Sequence, residues 1–203
     1  MNPVPIILAS ASPRRAALLK ELVPEFRVVP SAASELLHHH LTAYELARAN
    51  AWRKADSVSK EHPEALVLGA DTLVYVDSES LGKPRDRAEA EEMLARLQGR
   101  THQVITGVCL LHRQSSRRSV FVVCTDVTFR ALGRAAIAAY LDSIDPLDKA
   151  GAYAIQEGGE VLVARISGSY SNVVGLPVER LRLELADWRM CPLLEPRPQN
   201  MPT

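Results

Sequence analysis

The stretch "ALVLGADTLVYVD", residues 65–77, decides how this chain is read. Its run of aliphatic and β-branched residues predicts a buried strand. Asp71 and Thr72 interrupt that run midway. An ionised carboxylate inside an apolar strand is costly unless a cation, a metal or good hydrogen bonds meet it. Two readings follow. Either the strand ends at Gly69 and Asp71 caps a turn, or the strand continues and Asp71 belongs to a site.

Working outward, strand and helix signals alternate. Ile6, Ile7 and Leu8 read as the end of a strand. Ser12 with Pro13 makes an N-cap and first-turn pair, and Leu18, Leu19 and Leu22 give a helical stripe. Arg14 and Arg15 therefore sit in a first turn, where the helix dipole disfavours each cation by about 0.3–1 kcal/mol. Some anion should face them. Thr42 and Glu45 have capping-box spacing for a helix to about Ser59, with Ala47, Ala51, Ala55 and Val58 on its packed side and Lys54 beside them. Asp86 with Glu89 opens a third helix that Gly99 stops. "THQVITGVCLLH" (101–112) and "SVFVVCTDVTFR" (119–130) predict a long hairpin across "RQSSRR". A short helix follows at 134–142. "AGAYAIQEGGEVLVARI" (150–166) predicts a strand, a Gly-Gly turn and another strand, and Pro177 opens a last helix to about Ala186. Residues 1–188 form one α/β domain, a mixed sheet with helices packed on it. The Pro-rich tail, 189–203, is expected to be loose.

Composition narrows the function. A hydrophobic content of 47% excludes a disordered chain. With 24 basic and 24 acidic residues the net charge is zero, so no global field recruits nucleic acid or an anionic membrane. Cys109, Cys124 and Cys191 form no C-x-x-C pair, which suits a reducing cytosol. There is no secretory signal and no run near the ~18 apolar residues of a membrane span. The expectation is a soluble cytoplasmic protein. Sequence motifs of P-loop kinases, Rossmann dehydrogenases, zinc proteases and α/β-hydrolases are absent. The "HHH" run at 38–40 reads as a solvated loop, because consecutive imidazoles in regular structure do not converge on one metal.

What remains is a set of charged groups in apolar or glycine-rich settings. Singly, Lys54 reads as a snorkelling helix residue, Lys83 in "LGKPRD" as a held loop residue, and Glu35 in "SAASELL" as nothing distinctive. Together they suggest a polyphosphate site. Backbone amides of the first helix, the Ser10 and Ser12 hydroxyls, Arg14 and Arg15 would grip an anion. Lys54 and Lys83 would neutralise further phosphate oxygens. Asp71 and Glu35 would hold a divalent cation or orient water, since hard oxygen ligands suit Mg²⁺ beside phosphates.

"LASASPRRAALL", "GADTLV", "LGKP", "DKAGAYAIQ" and "ISGSYSNVVGLP", in order along residues 4–187, make the chain resemble the Maf family of nucleoside triphosphate pyrophosphatases. The resemblance implies an ITPase-like α/β fold, two lobes around a long mixed sheet with the active cleft between them. It implies hydrolysis of a nucleoside triphosphate to monophosphate and pyrophosphate with Mg²⁺ or Mn²⁺, in a homodimer, and a link between nucleotide house-cleaning and cell-division arrest. By position, Asp71 resembles the family's proton acceptor. Arg14, Arg15, Lys54 and Lys83 resemble its phosphate-binding residues, Glu35 the acidic residue sharing the site, and Ser10 part of the phosphate-facing loop. Ala32 stands where the family often has an aspartate. Arg14, Thr72 and Gln156 resemble the subgroup acting on dTTP and UTP; the 7-methyl-GTP subgroup tends to carry an aromatic, an aspartate and a glutamate there. A glutamine amide offers one donor and one acceptor, matching the N3–H and O4 edge of uracil or thymine. The alternatives are a 7-methyl-GTP-type enzyme and a nucleotide-sensing interaction protein with little turnover.

Overall fold

A computed structural model describes residues 4–36 and 40–188. The tail expectation for 189–203 and most of the His38–His40 run lie outside those residues. The elements are β1 (Ile6–Leu8), α1 (Pro13–Lys20), β2 (Arg27–Val28), α2 (Ala43–Ser59), β3 (Leu66–Val76), β4 (Glu79–Leu81), α3 (Arg87–Leu97), β5 (Thr101–His112), β6 (Arg117–Phe129), α4 (Arg134–Asp142), α5 (Gly159–Leu162), β7 (Val163–Ser167), α6 (Tyr170–Val174) and α7 (Val178–Asp187). They build one mixed seven-stranded sheet in the order β2-β1-β3-β5-β6-β7, with β4 added to β3. No helix among the described residues is long and apolar enough to cross a membrane.

The strand reading of Asp71 is the one observed: β3 runs through Asp71 and Thr72 unbroken, paired antiparallel with β5 from Leu66 to Tyr75. On the other edge β3 has two different neighbours. β1 pairs in parallel with Leu66–Leu68, and β4 pairs antiparallel with Val74–Val76. Between them, residues 69–73 meet no strand. That bare edge is where the sheet opens.

Alternation along β3 and β5 then sorts side chains between two faces. On one face, Leu66, Leu68, Ala70, Val108 and Leu110 pack with Leu18 and Leu19 of α1 and Leu181 and Leu185 of α7. Farther along the same face, Val74, Val76 and Val104 pack with Leu94 of α3 and Ile137, Tyr140 and Leu141 of α4. The two apolar clusters are separated where Thr72 lies opposite Thr106, their hydroxyls 3.0 Å apart. This polar seam is the floor between two lobes. The opposite face is covered by α2, which comes so close that a Cβ on Gly69 would fall 2.3 Å from the Ala51 carbonyl oxygen, and one on Gly107 2.3 Å from that of Ala47. Glycine is required at both crossings.

Helix starts follow their caps. Ser12, Thr42 and Asp86 each accept a backbone N–H from the residue three positions on, and Thr42 with Glu45 closes a full capping box. The first strand read in 150–166 is corrected, while its second strand is observed as β7. Ala150–Ala152 forms a single 3-10 turn with Gly151 and Ala152 in the left-handed region, and Gly158, also left-handed, opens the one-turn α5. These reversals leave no extended path for a strand before Val163. Three short elements, β2, β4 and α6, have too few residues to show a period and were not legible.

Candidate functional site

The bare edge of β3 lets side chains from both sheet faces reach one space. A cavity of about 540 Å³ opens there, and Ser10, Arg14, Arg15, Glu35, Lys54, Asp71, Thr72, Lys83 and Gln156 all line it. The guanidiniums of the first helical turn and the carboxylate of β3 thus share a cleft, although they approach it from opposite sides of the sheet.

On the α2 side, Asp71 is 3% exposed. Lys54, on the packed face of α2, donates from Nζ to Asp71 Oδ1 at 2.7 Å and to Glu35 Oε1 at 2.7 Å. The Asn50 amide, one helical turn before Lys54, donates to Asp71 Oδ2 at 3.2 Å. Asn50 also accepts from the Leu36 N–H at 2.8 Å, which ties the Glu35 segment to α2. Burial pushes the Glu35 carboxyl up, but the hydrogen bond and charge of Lys54, helped by Lys83 and Arg15, outweigh it and hold the group below its usual range. Asn50 was missed in sequence. Its signal was a polar residue in line with Ala47, Ala51 and Ala55 on a face otherwise closed to water.

The other side is built around Arg15. Its Nε donates to the Gly175 carbonyl at 2.9 Å, one Nη to Ser10 Oγ at 3.2 Å and the other to Thr72 Oγ1 at 2.9 Å. All three acceptors are neutral. Burial pulls the Arg15 guanidinium below the usual arginine range, while Asp71 and Glu35 pull it back up. Gly175 sits at φ +128, a conformation that turns its carbonyl toward Arg15 and that side chains resist. Thr72 is held by Arg15 and by Thr106, which itself donates to the Asn172 carbonyl at 3.2 Å. Its hydroxyl therefore orients Arg15. Ser12 serves as the helix cap, so of the two serines only Ser10 turns its hydroxyl toward a guanidinium.

At the rim, Arg14 reaches Asp148 at 3.4 Å. Asp148 is also bound by Lys149, whose Nζ lies 2.7 Å from its carboxylate and 2.6 Å from the Asp145 carbonyl. Burial raises the Asp148 carboxyl, but Lys149 and Arg14 together bring it below the ordinary range. Lys149 is 5% exposed and lines the cavity; only its neighbourhood in "DKAGAYAIQ" hinted at it. Lys83 and Gln156 are exposed on the cavity wall, and Lys83 makes no ion pair among the described residues.

Glu35 and Asp71 are two hard oxygen donors with the Lys54 ammonium between them. No group of three or more His, Cys, Asp or Glu side chains is placed to hold a metal among the described residues. Such a pair does not form a protein cage. Both carboxylates are engaged by Lys54, so an ion held there would draw most of its ligands from phosphates and water.

The chain matches the family described as Maf-like protein over residues 5–188. It is 46% identical over 183 residues, 90% of its own length and 98% of the relative's, to the dTTP/UTP pyrophosphatase of Carboxydothermus hydrogenoformans. The dTTP/UTP pyrophosphatases of Symbiobacterium thermophilum and Myxococcus xanthus are each 50% identical, covering 86% and 85% of this chain and 89% and 87% of theirs. Among solved structures, the Staphylococcus aureus Ham1 protein aligns over 90% of this chain and 98% of that one, at 16% identity and a TM-score of 0.48.

Proposed function

This chain belongs to the Maf-like protein family, and we propose that it is a nucleoside triphosphate pyrophosphatase acting on dTTP and UTP. The observation that carries the reading is that Asp71 and the cations Arg14, Arg15, Lys54 and Lys83 line a single cavity. A triphosphate tail supplies the anion that Arg15, held only by neutral acceptors, lacks inside the protein.

In the proposed reaction a water oxygen bonds to the α-phosphorus while the oxygen bridging to the β-phosphorus leaves with its electron pair. Asp71 takes the water proton. Lys54 and Asn50 hold its carboxylate at both oxygens, which fixes its direction, and a carboxylate has lone pairs left for water. Charge grows on the leaving pyrophosphate, where Arg14, Arg15 and Lys83 stabilise it most in the transition state. Glu35 and Asp71 would hold Mg²⁺ or Mn²⁺, which when bound neutralises phosphate charge. Gln156, on the wall, reads the N3–H and O4 edge of the pyrimidine through its amide. Thymine and uracil differ by one methyl, worth only about 1–3 kcal/mol, so both are accepted. A cytoplasmic setting belongs to the same reading, in keeping with the free thiols Cys109 and Cys124.

The test is hydrolysis of dTTP, UTP, other nucleoside triphosphates and 7-methyl-GTP by the purified chain with Mg²⁺ or Mn²⁺, in ¹⁸O-labelled water. Pyrophosphate and a labelled monophosphate, fastest from dTTP and UTP, are expected. Orthophosphate as the product, label in the pyrophosphate, or no turnover overturns the proposal.

A further inference from the structure

Among the described residues, three carboxylates line the cavity: Glu35, Asp71 and Asp148. Lys54 binds the first two, and both have work in the proposed reaction. Asp148 has none so far, and a negative charge in the wall of a polyphosphate cleft opposes the substrate. Its two oxygens face two cations held in different ways. Oδ1 accepts from Lys149 Nζ at 2.7 Å, whereas Oδ2 meets an Arg14 Nη at 3.4 Å.

The Lys149 contact is built to stay. That ammonium is buried and also donates to the Asp145 carbonyl at 2.6 Å. The backbone around it is pinned as well. The Leu147 N–H donates to Asp145 Oδ1 and the Lys149 N–H to the Pro146 carbonyl, both at 3.1 Å, and the Gly151 N–H donates to the Gly82 carbonyl at 3.0 Å. Asp148 therefore cannot follow a guanidinium into the cleft. The Arg14 contact is built to break. It is long, it uses one nitrogen, and the Asp148 side chain is 51% exposed. An exposed pair of this kind favours the joined state by a factor of about five at most. Arg14 itself lines the cavity, so a phosphate offers it a more highly charged partner.

We infer that Asp148 is a positioning residue of the triphosphate subsite: a fixed carboxylate that holds Arg14 before substrate binds, yields it to the phosphates, and takes it back as pyrophosphate leaves. This rests on the pyrophosphatase reading, in which Arg14 stabilises the leaving group. Every anion that uses Arg14 must first displace Asp148, and each loses affinity by the same factor. For the substrate, ground state and transition state are weakened alike, which raises KM without slowing the chemical step. For pyrophosphate the loss appears as faster release, because affinity differences at one site lie mostly in the dissociation rate. The nucleoside monophosphate lacks the phosphates that Arg14 holds, so its release does not depend on Asp148. Arg15, with only neutral acceptors, and Lys83, with no ion pair among the described residues, face no such competitor.

The experiment is product inhibition of dTTP hydrolysis by the purified full chain, with pyrophosphate and dTMP as separate inhibitors. It compares wild type, Asp148→Asn, Arg14→Ala and the double variant. Asp148→Asn keeps an oxygen for Lys149 and should bind pyrophosphate about threefold more tightly. KM for dTTP should fall by the same factor with kcat no higher, and the inhibition constant for dTMP should not move. With Arg14 already removed, Asp148→Asn should change none of these, a coupling that neither a merely structural carboxylate nor plain repulsion of the phosphates would show. A crystal structure of wild type with Mg²⁺ and pyrophosphate should place Arg14 on a phosphate oxygen while Asp148 stays on Lys149. Unchanged or weaker pyrophosphate inhibition of Asp148→Asn, an equal gain without Arg14, or Arg14 still on Asp148 beside bound pyrophosphate overturns this inference and leaves the pyrophosphatase reading standing. A wild type that releases no pyrophosphate overturns both.

Discussion

On the Asp71 side of β3 every charge has a partner inside the protein, whereas on the Thr72 side Arg15 meets only neutral acceptors. Lys54, Glu35 and Asp71 form a closed network with Asn50. Arg15 is gripped by Ser10, Thr72 and Gly175, three groups that fix its direction without cancelling its charge. One side is charge-paired within the protein before substrate arrives; the other takes its counter-charge from it. This division suits an anhydride hydrolase, which needs a rigid proton acceptor and an unspent positive field on opposite flanks of the same phosphate chain.

The sharpest way to break the contrast is Asp71→Asn. The amide keeps the carboxylate's shape, and Lys54 keeps Glu35, so folding and triphosphate binding should survive. Turnover should fall by about 10²–10⁴-fold, the range for a positioned proton acceptor. Single-turnover kinetics beside equilibrium binding checks this, and near-normal turnover removes Asp71 from the role. Lys54→Met attacks the network itself. It leaves the buried Asp71 with only the Asn50 amide, and breaking a buried ion pair by removing one partner costs about 3–5 kcal/mol. Urea unfolding should show that loss. The double variant Lys54→Met/Asp71→Asn should recover most of it, because no buried charge is then left alone.

Acid separates the two sides in another way. His102 lies on the Thr72 face of β5, 2% exposed, with its Nε2 2.8 Å from the Tyr153 hydroxyl. Burial disfavours its charged form and takes it from 6.5 to about 4. Between those values the unfolded chain holds the extra proton, so this contribution is complete above pH 6.5 and drains away as pH falls toward 4. The loss should reach about 2 kcal/mol near pH 5. Glu35 behaves differently. Lys54 keeps it ionised below its usual range, so its contribution is lost only at pH below the ordinary carboxylate value. Stability in urea at pH 7 and pH 5 should therefore drop for wild type and change far less for His102→Gln, which keeps a hydrogen-bonding partner for Tyr153 without titrating.

What was legible in the sequence followed from local chemistry. Ser12, Thr42 and Asp86 announced their helices because a cap is written in adjacent residues. Asp71 and the α1 arginines stood out because each conflicts with its local environment, and such conflicts collect at sites; Lys54 gained meaning only beside them. What was not legible depends on register. Nothing in "THQVITGVCLLH" says that Thr106 falls opposite Thr72, and nothing near residue 175 says that its carbonyl will meet Arg15. The first strand read in 150–166 failed for a related reason: alternating small and apolar residues mimic a strand until left-handed Gly151, Ala152 and Gly158 reverse the chain.

Lys83 provides the smallest test and the most specific. It is exposed on the cavity wall after β4, and it makes no ion pair with protein among the described residues. Its only charged work in the proposed reaction is on the triphosphate, which puts it with the unfinished side. Removing it should leave folding as it was, unlike removing Lys54. One charge-assisted phosphate contact in a partly wetted cleft is worth about 1.4 kcal/mol, a factor of ten. Lys83→Ala should therefore raise the dissociation constant for dTTP about tenfold, with no change in the urea midpoint. A shifted midpoint with unaltered binding would place Lys83 among the structural charges and leave Arg15 as the cation that awaits the substrate.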